Sequence, residues 1–371
     1  MTGTVLFDKG PLQMGTLFES PIDIIRADTP EEVPAALDAM QKAKEDGKWL
    51  AGYASYELGY LFTPRLAGIL PEDRAVPFLL FGVFERPRPD DETATGSATL
   101  SDTTPVWDLE TYRTAYDQVK EHIAAGDFYQ ANLTFPLEAT LTGDPAALYR
   151  DLREKQPVPH GAMVDLGGPV ILSRSPELFF RSTSEGELTT RPMKGTIARG
   201  KSIQEDVVNS SWLRPSEKNR AENLMIVDLL RNDMSRISEI GSVKVPELYT
   251  VESYATVYQM TSTIRSQLLQ GTTIPQIFEA LFPCGSVTGA PKIMAMTVLR
   301  RLEHGARDVY CGSIGWIAPD GAMEFNVAIR TLTCFDGGKV RLNVGGGIVH
   351  DSEGKDEYAE ALLKSAFAKL D

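Results

Sequence analysis

The first part of the chain alternates between helical and strand-like spacing of its apolar residues. Val33, Leu37 and Met40 recur at steps of three and four residues, which predicts a helix over residues 30–44. The segments LAGYASYELGY and VPFLLFGVF follow, and their runs of aromatic and branched side chains are typical of strands. This order of elements predicts a mixed α and β structure for this part of the chain.

A second amphipathic helix is predicted after residue 108. Asp108 can accept hydrogen bonds at its N-terminus, and Gly126 can end it. Strands are predicted at residues 129–135, 162–172 and 177–181, and helices at residues 216–237 and 291–305. The apolar positions of the helix after residue 108, three or four residues apart, are Leu109, Tyr112, Tyr116, Val119 and Ile123.

The last part of the chain is rich in strand signals. Residues 313–349 contain the turn motifs PDGA and DGG between strand-like segments, and DEYAEALLKSAFAKL predicts a closing helix. Successive hairpins with flanking helices predict an α+β fold, in which helices cover antiparallel sheets.

Residues 86–104 have the composition of a flexible connector, rich in Pro, Asp, Ser, Thr and Gly and nearly free of large apolar side chains. They divide an N-terminal region, residues 1–105, from a larger C-terminal region, residues 106–371. The strands of the N-terminal region can form a small domain of their own or complete a sheet of the larger region, and the pattern leaves both open.

Charge and hydropathy exclude several classes of partner. The 371 residues include 37 Lys and Arg against 51 Asp and Glu, a net charge of −14, which offers no attraction to nucleic acid. No apolar run approaches the roughly 18 residues of a membrane helix, and the N-terminus lacks a secretion signal. We therefore expect a cytoplasmic protein without a membrane or nucleic-acid partner, in which local positive charge or a metal ion receives any anionic substrate.

The residue types available for metal binding favour oxygen ligands. Three Cys and four His residues lack the spacing of a zinc site, so a hard cation such as Mg²⁺ is the expected metal. Glu357 and Glu360 share a face of the closing helix, and Glu222 lies on the helix predicted at residues 216–237. By spacing alone, a solvated helix surface is the better interpretation of these carboxylates.

Two glycine-rich segments and one lysine add candidate chemistry. PCGSVTGAPK at residues 283–292 and VGGGIV at residues 344–349 can present backbone N–H groups to an anion, or form tight turns. Neither has the spacing of a nucleotide-binding P-loop. Lys194 lies in RPMKGT, where burial can make an amine nucleophilic, although most lysines are simply solvated.

Seven motifs occur in the order and at the spacing seen in chorismate-utilising enzymes: SPELFF, RPMKGT, ENLMIVDLLRND, PCGSVTGAPK, YCGSIGW, NVAIRTL and GGGIVHDSEGKDEYAE. From about residue 108 to the end, the chain resembles this family, which includes anthranilate, aminodeoxychorismate, isochorismate and salicylate synthases. The segments SPIDIIRA and LAGYASYELGYLF resemble the N-terminal region of the aminating members. The resemblance implies an α/β sandwich of two antiparallel sheets flanked by helices, with the connector as an internal loop and the chorismate site in residues 106–371.

The resemblance also implies a ligand set. Glu222 and Glu360 are expected to hold Mg²⁺, with Glu357 supporting a coordinated water, so that the metal neutralises the ring carboxylate of chorismate. Asn219 stands where the family often has an acidic residue, and Gln259 where many relatives have histidine. The further positions implied to contact chorismate are the amides of Gly195 and Thr196 for the ring carboxylate, Arg330, Tyr310 and the amides near Gly345 and Gly347 for the enolpyruvyl carboxylate, and the hydroxyl of Ser286.

Two positions distinguish among the family's reactions. The water-adding members resemble one another in having a lysine base where this chain has Gln130, an amide that cannot remove a proton. Anthranilate synthases usually carry alanine at the position of Lys194, which is typical of aminodeoxychorismate synthases. The resemblance therefore implies that Lys194 adds to the ring as hydroxide leaves, that Glu177 protonates the leaving group, and that ammonia then displaces the lysine. The product is 4-amino-4-deoxychorismate, on the route to 4-aminobenzoate and folate.

No cysteine of the chain lies in a nucleophile-elbow setting such as GxCxG, so the resemblance implies a separate glutamine amidotransferase subunit as the source of ammonia. Release of pyruvate to give 4-aminobenzoate is expected to need another enzyme, a lyase. Two alternatives stay open: an anthranilate synthase component I, if Lys194 is a bystander, and a non-catalytic chorismate-binding homologue.

Overall fold

Most strands of the computed structural model, which describes residues 3–91, 95–253 and 257–370, belong to two large sheets. All recorded strand pairs among these residues are antiparallel, as predicted. The strands are β1 (Thr4–Phe7), β2 (Thr16–Glu19), β3 (Asp23–Ala27), β4 (Trp49–Ala54), β5 (Leu79–Phe84), β6 (Arg88–Pro89), β7 (Ala98–Leu100), β8 (Thr104–Pro105), β9 (Gln130–Gly143), β10 (His160–Asp165), β11 (Val170–Ser175), β12 (Leu178–Ser182), β13 (Glu187–Thr190), β14 (Met193–Ala198), β15 (Lys244–Ser253), β16 (Val257–Gln267), β17 (Gly289–Ala290), β18 (Ser313–Ile317), β19 (Met323–Asn326), β20 (Thr331–Cys334) and β21 (Lys339–Ile348).

Helices pack on the outer faces of the sheets. None of the helices in the described part of the chain is long and apolar enough to cross a membrane. The helices are α1 (Val33–Glu45), α2 (Leu58–Leu61), α3 (Pro64–Ala67), α4 (Leu109–Ala125), α5 (Pro145–Lys155), α6 (Ile203–Leu213), α7 (Glu217–Ser235), α8 (Ile274–Leu281), α9 (Lys292–Leu302) and α10 (Gly354–Lys364).

The first sheet has 11 strands in the order β17-β9-β21-β20-β11-β10-β1-β2-β6, with β7 and β8 also paired to β9. The second has 10 strands in the order β14-β16-β13-β12-β19-β18-β4-β5-β3, with β15 also paired to β16. Strands of the N-terminal region therefore complete both sheets, which is one of the two arrangements that the pattern left open. The boundary at residue 105 stays a prediction.

Three apolar clusters hold the layers together. One joins the second sheet to α1, α7 and α8, and another joins the first sheet to α4, α9 and α10. The third lies between the sheets, where Val5 and Phe18 of the first meet Tyr53 and Leu80 of the second. Burial of both inner faces makes the two sheets a sandwich, and the predicted α+β class with helices flanking two antiparallel sheets is confirmed.

The segment predicted to be a connector is partly ordered into strands. Its residues 88–89 pair with β2, and its residues 98–100 and 104 pair with β9. Backbone hydrogen bonds to β2 and to the long β9 strand hold these residues, so their polar side chains gave no signal of strand structure. Residues 92–94 of the connector lie outside the described residues.

The helices with local end signals lie where they are predicted. The amide of Thr111 donates to the Asp108 carboxylate at 2.8 Å, and Gly126 ends α4 with a φ of 83°. The helix predicted from residue 291 begins one residue later, because Pro291 is its extended N-cap residue rather than its first helical residue. The strand predicted at residues 129–135 continues as β9 to Gly143.

Candidate active site

Lys194 lies on β14, at the end of the second sheet, where α7 packs on the strand. Gly195 has a φ of +92°, and a Cβ atom at this position would lie 3.1 Å from the Oδ1 atom of Asn219 on α7. Only glycine allows both this backbone conformation and this close approach. This approach brings Glu222, one turn after Asn219 on α7, near Lys194. The negative charge of Glu222 acts to raise the pKa of Lys194, whereas burial lowers it.

The Lys194 amine is held in a partly desolvated position. Burial lowers its pKa, and the charges of Glu222, Glu177 and Glu360 oppose this without reversing it. Its side chain makes no hydrogen bond or ion pair to another residue that the structure describes. A lowered pKa increases the fraction of neutral amine, the nucleophilic form.

Glu177 lies between β11 and β12, with 5% of its surface exposed. Its Oε1 atom accepts a hydrogen bond from the Ser286 hydroxyl at 2.8 Å, and the thiol of Cys284 lies 3.2 Å from the same hydroxyl. Burial raises the pKa of Glu177 to about 7, although the hydrogen bond from Ser286 and the charge of Lys194 lower it. A carboxyl group with this pKa is partly protonated near neutral pH, as a general acid needs to be.

Gln130 and Gly347 meet where β9 pairs with β21. The Gln130 side chain is fully buried, and neither of its amide atoms has a hydrogen-bond partner among the described residues. A Cβ atom on Gly347 would lie 3.0 Å from the Gln130 Nε2 atom, so the missing side chain makes room for this amide. An unpaired buried amide costs about 1–3 kcal/mol, which a polar ligand can recover.

Arg330 lies between β19 and β20, where the chain passes from the second sheet to the first. Its φ of +51° is unusual for a residue with a side chain. Desolvation lowers its pKa, and its guanidinium has no ion pair with the described carboxylates. A desolvated guanidinium without a protein partner is suited to bidentate binding of a carboxylate.

The three predicted carboxylates of the metal site lie on two helices, with Glu222 on α7 and with Glu357 and Glu360 on α10. Burial raises the pKa of Glu222 and of Glu357, and in both cases the charge of Glu360 raises it further. The Glu357 Oε1 atom accepts from Ser352 at 2.7 Å. Burial also acts to raise the pKa of Glu360, but the charge and the hydrogen bond of Lys364 reverse the direction and lower it.

The carboxylates fit a hard cation by their chemistry. The described residues contain no group of three Asp, Glu, His or Cys residues already arranged around a metal position. All three side chains nevertheless supply oxygen, and the charge of Glu360 raises the pKa of both Glu222 and Glu357, so both lie within electrostatic reach of Glu360. Oxygen ligands with excess negative charge are the donor set that Mg²⁺ prefers.

Other candidate residues lie on the same elements. The Thr196 hydroxyl accepts from Gln259 at 3.3 Å across the β14–β16 pair. The Tyr310 side chain is buried, which raises its pKa well above the ordinary value. No hydrogen bond or ion pair in the described ranges joins Tyr310 or Arg330 to another predicted site residue.

A comparison with protein families matches residues 85–369 to the chorismate binding enzyme model. The chain belongs to this family. The family inferred from the seven sequence motifs is therefore confirmed, and the residues described above are candidates for the chorismate site of a chorismate binding enzyme.

The curated relatives include aminodeoxychorismate synthases and an anthranilate synthase. Aminodeoxychorismate synthase component 1 of Escherichia coli (strain K12) is 43% identical over 255 residues, which cover 69% of this chain and 56% of that protein. Aminodeoxychorismate synthase of Streptomyces griseus is 42% identical, with 70% of this chain and 36% of that protein covered. Anthranilate synthase component 1 of Streptomyces coelicolor is 40% identical, with 67% and 48% covered. The matched part of the chain thus spans between about a third and just over half the length of these relatives.

Solved structures share the fold over nearly the whole chain. Anthranilate synthase component I from Streptococcus pneumoniae TIGR4 superposes with a TM-score of 0.84 at 26% identity, covering 95% of this chain and 92% of that one. A 2,3-dihydroxybenzoate-specific isochorismate synthase from Bacillus anthracis gives a TM-score of 0.78 at 22% identity, covering 99% and 95%. The second likeness supports the fold alone.

Sequence reasoning missed two side chains in this part of the chorismate binding enzyme. Lys364 forms an ion pair with Glu360 at 2.9 Å and donates to the carbonyl of Gly345 at 2.9 Å. Its spacing of four residues from Glu360 on one helix was an available signal. Cys284, beside the Ser286 hydroxyl, had no comparable signal, because its position depends on a loop conformation.

Proposed function

We propose that the chain is component I of an aminodeoxychorismate synthase, a transferase that converts chorismate and ammonia to 4-amino-4-deoxychorismate. One observation carries the proposal: Lys194 and Glu177 lie close enough for the charge of each to shift the pKa of the other. Burial lowers the pKa of the amine and raises that of the carboxyl to about 7. A nucleophile and an acid are thereby available at the same pH.

In the proposed mechanism, the free amine of Lys194 forms a C–N bond at one end of the conjugated ring system. The double bonds shift, and the C–O bond at the other end breaks. The carboxyl group of Glu177 gives its proton to the departing hydroxyl, which leaves as water, and the lysine nitrogen then gives a proton to the Glu177 carboxylate. Ammonia then forms a C–N bond at the vacated carbon, the double bonds shift back, and the C–N bond to the lysine breaks. The lysine leaves as a neutral amine with its electron pair and a proton from Glu177, and the new ammonium substituent gives a proton to the Glu177 carboxylate.

The anionic groups of chorismate need positive partners in a protein with a net charge of −14. We propose that Arg330, with Tyr310 and the amides near Gly345 and Gly347, holds the enolpyruvyl carboxylate, and that the Gln130 amide supplies a hydrogen bond. The proposal is supported by the desolvated Arg330 guanidinium and by the Gln130 amide, neither of which has a side-chain partner among the described residues. The amides of Gly195 and Thr196 are proposed for the ring carboxylate, and Ser286 and Gln259 for neighbouring polar contacts.

Glu222 and Glu360 are proposed to hold Mg²⁺, with Glu357 supporting a bound water. The metal, when bound, neutralises the ring carboxylate. Ammonia is proposed to come from a glutamine amidotransferase subunit, because relatives such as that of Escherichia coli carry the name component 1. A role in folate synthesis in the cytoplasm is part of the same proposal.

The test is an assay of the purified chain with chorismate, Mg²⁺ and ammonium, with products identified by mass and fluorescence. We expect aminodeoxychorismate, which yields 4-aminobenzoate only after a lyase is added. Lys194→Ala is expected to reduce its formation by at least about 100-fold, whereas Lys244→Ala, on an exposed lysine of the same sheet, leaves it unchanged. Full activity of Lys194→Ala with ammonium would refute the covalent step.

Anthranilate synthase is the second candidate. It is favoured by the 40% identity to the Streptomyces coelicolor component 1 and by the TM-score of 0.84 to a solved anthranilate synthase component I. Fluorescent anthranilate formed without a lyase, in both the unmodified chain and Lys194→Ala, would establish this reaction instead.

A further inference from the structure

The ammonium group of Lys364 lies among the oxygen atoms of the proposed metal site. Glu357, Glu360 and Lys364 are spaced by three and four residues, so they share one face of α10. The Lys364 Nζ atom lies 2.9 Å from Glu360 Oε1 and 2.9 Å from the carbonyl oxygen of Gly345. Both contacts are within hydrogen-bond distance.

Glu357 of α10 packs over the same part of β21 as Lys364. A Cβ atom on Gly346 would lie 3.0 Å from Glu357 Oε2 and 3.6 Å from the Nζ atom of Lys364. The two charged groups therefore share the space above a residue that has no side chain. The charge of Lys364 lowers the pKa of both Glu357 and Glu360.

We propose that Lys364 is a resident cation, which Mg²⁺ displaces from Glu360 when it binds. This inference rests on the proposed function, because that proposal assigns Glu360 as a metal ligand. A carboxylate oxygen that ligates Mg²⁺ lies about 2.1 Å from the ion, and an ammonium bonded to the same carboxylate is repelled by the added charge. Because Mg²⁺ must break the ion pair between Lys364 and Glu360 to bind, this ion pair lowers the affinity of the site for Mg²⁺.

Lys364 thus serves as a positioning residue for the site before metal binding. It holds Glu360 and α10 against Gly345, and its positive charge opposes the effect of Glu360 on the neighbouring Glu357. The ion pair with Glu360 and the hydrogen bond to the Gly345 carbonyl act together at one nitrogen atom.

The experiment measures Mg²⁺ binding by titration calorimetry without chorismate, for the unmodified chain and for Lys364→Gln and Lys364→Met. Glutamine retains a donor for the Gly345 carbonyl, so loss of the fold in the methionine variant does not end the test. We expect both variants to bind Mg²⁺ about tenfold more tightly. Circular dichroism establishes that each variant is folded.

Lys218→Met is the matched control. Lys218 is exposed on α7 and lowers the pKa of the same carboxylates by its charge, but makes no ion pair with them among the described residues. We expect less than about a twofold change for this variant, since screening weakens exposed charges.

Unchanged or weaker Mg²⁺ binding in both Lys364 variants, or an equal gain in Lys218→Met, would overturn the inference. Mg²⁺ affinity that is unaffected by Glu360→Gln would overturn it as well, by showing that the metal binds elsewhere. The product assay with ammonium decides the proposed reaction separately, so the two failures are distinguishable.

Discussion

At the scale of single residues, the hydrogen bond between Ser286 and Glu177 is the contact with the most direct link to chemistry. The Ser286 hydroxyl donates to the carboxyl group at 2.8 Å and lowers its pKa, although burial still raises that pKa to about 7. A donor stabilises the ionised carboxylate more than the neutral acid. Ser286 therefore sets the pH range over which Glu177 carries a proton.

We predict that aminodeoxychorismate formation falls as the pH rises through about 7, because the reaction needs the protonated form of Glu177. Ser286→Ala removes the donor, raises the pKa of Glu177 and moves this fall to higher pH. The measurement is the pH profile of kcat at a constant concentration of free ammonia. The control is Thr288→Val, since the Thr288 hydroxyl donates to the carbonyls of Cys284 and Gly285 instead. Identical profiles for all three proteins would contradict the assignment of Glu177.

The second residue-scale prediction concerns Arg330, whose guanidinium has no carboxylate partner among the described residues. A lysine at this position keeps the charge but cannot make two parallel hydrogen bonds to one carboxylate. Arg330→Lys is expected to raise the KM for chorismate about tenfold, with a smaller effect on kcat. Arg113→Lys, on the exposed face of α4, is expected to leave KM unchanged. An unaltered KM in Arg330→Lys would remove this residue from the proposed binding site.

At the scale of elements, the contact between α7 and β14 places Glu222 near Lys194. Gly195 makes this contact possible by its φ of +92° and by the 3.1 Å approach of Asn219. Gly195→Ala is expected to destabilise the protein by about 2–3 kcal/mol, from the strained backbone together with the collision. Gly47→Ala is the matched control, because Gly47 has a φ of +77° and no atom within 4 Å of the added carbon. Gly47→Ala should lower the free energy of unfolding only by the cost of the strained backbone, about 1–2 kcal/mol.

Urea unfolding followed by circular dichroism provides the comparison. Asn219→Ala combined with Gly195→Ala should restore part of the lost stability, because it removes the Cγ and Oδ1 atoms that the new methyl group meets and leaves only the Cβ atom at 3.1 Å. Equal costs for Gly195→Ala and Gly47→Ala would mean that α7 and β14 do not meet closely at this position.

The elements that the sequence predicted are those with local signals. Helix α4 has an apolar stripe, a capping Asp108 and a terminal Gly126, all of which act within a few residues. Helix α6 is an exception, because it was not predicted although Ser202 and Glu205 have the spacing of a helix start. Its Val207, Val208 and Trp212 are exposed in the structure. Its N-terminus is fixed by a hydrogen bond between the Glu205 amide and the Ser202 hydroxyl.

The residues of the candidate site could be predicted where they lie in one of the family's sequence motifs. Resemblance supplied Lys194, Glu177 and the three carboxylates, whose assigned roles stay predictions. The placing of Gln130 against Gly347 and of Lys364 on Glu360 could not be read from spacing. These contacts depend on the register of β9 with β21 and on how α10 packs on β21, which are long-range properties of the fold.

At the scale of the whole molecule, the N-terminal strands are integral parts of both sheets. β1 pairs with β10, and β4 pairs with β18, so each sheet contains ladders that join distant parts of the chain. The side chains of these strands also belong to the shared apolar clusters, as Val5 and Tyr53 do. The structure offers no surface along which the two regions could separate without exposing core residues in the parts of the chain that it describes.

We therefore predict that the chain unfolds in a single cooperative transition, although its 371 residues are enough for two domains. Differential scanning calorimetry should give a calorimetric enthalpy close to the van't Hoff enthalpy. Tyr53→Ala, which opens a cavity between the sheets, should lower the one transition as a whole, because the cavity weakens both sheets together. Ile240→Ala is the control, since this side chain is fully exposed and its loss removes no packing. Two transitions, of which Tyr53→Ala shifts only one, would show that residues 1–105 form an independent unit after all.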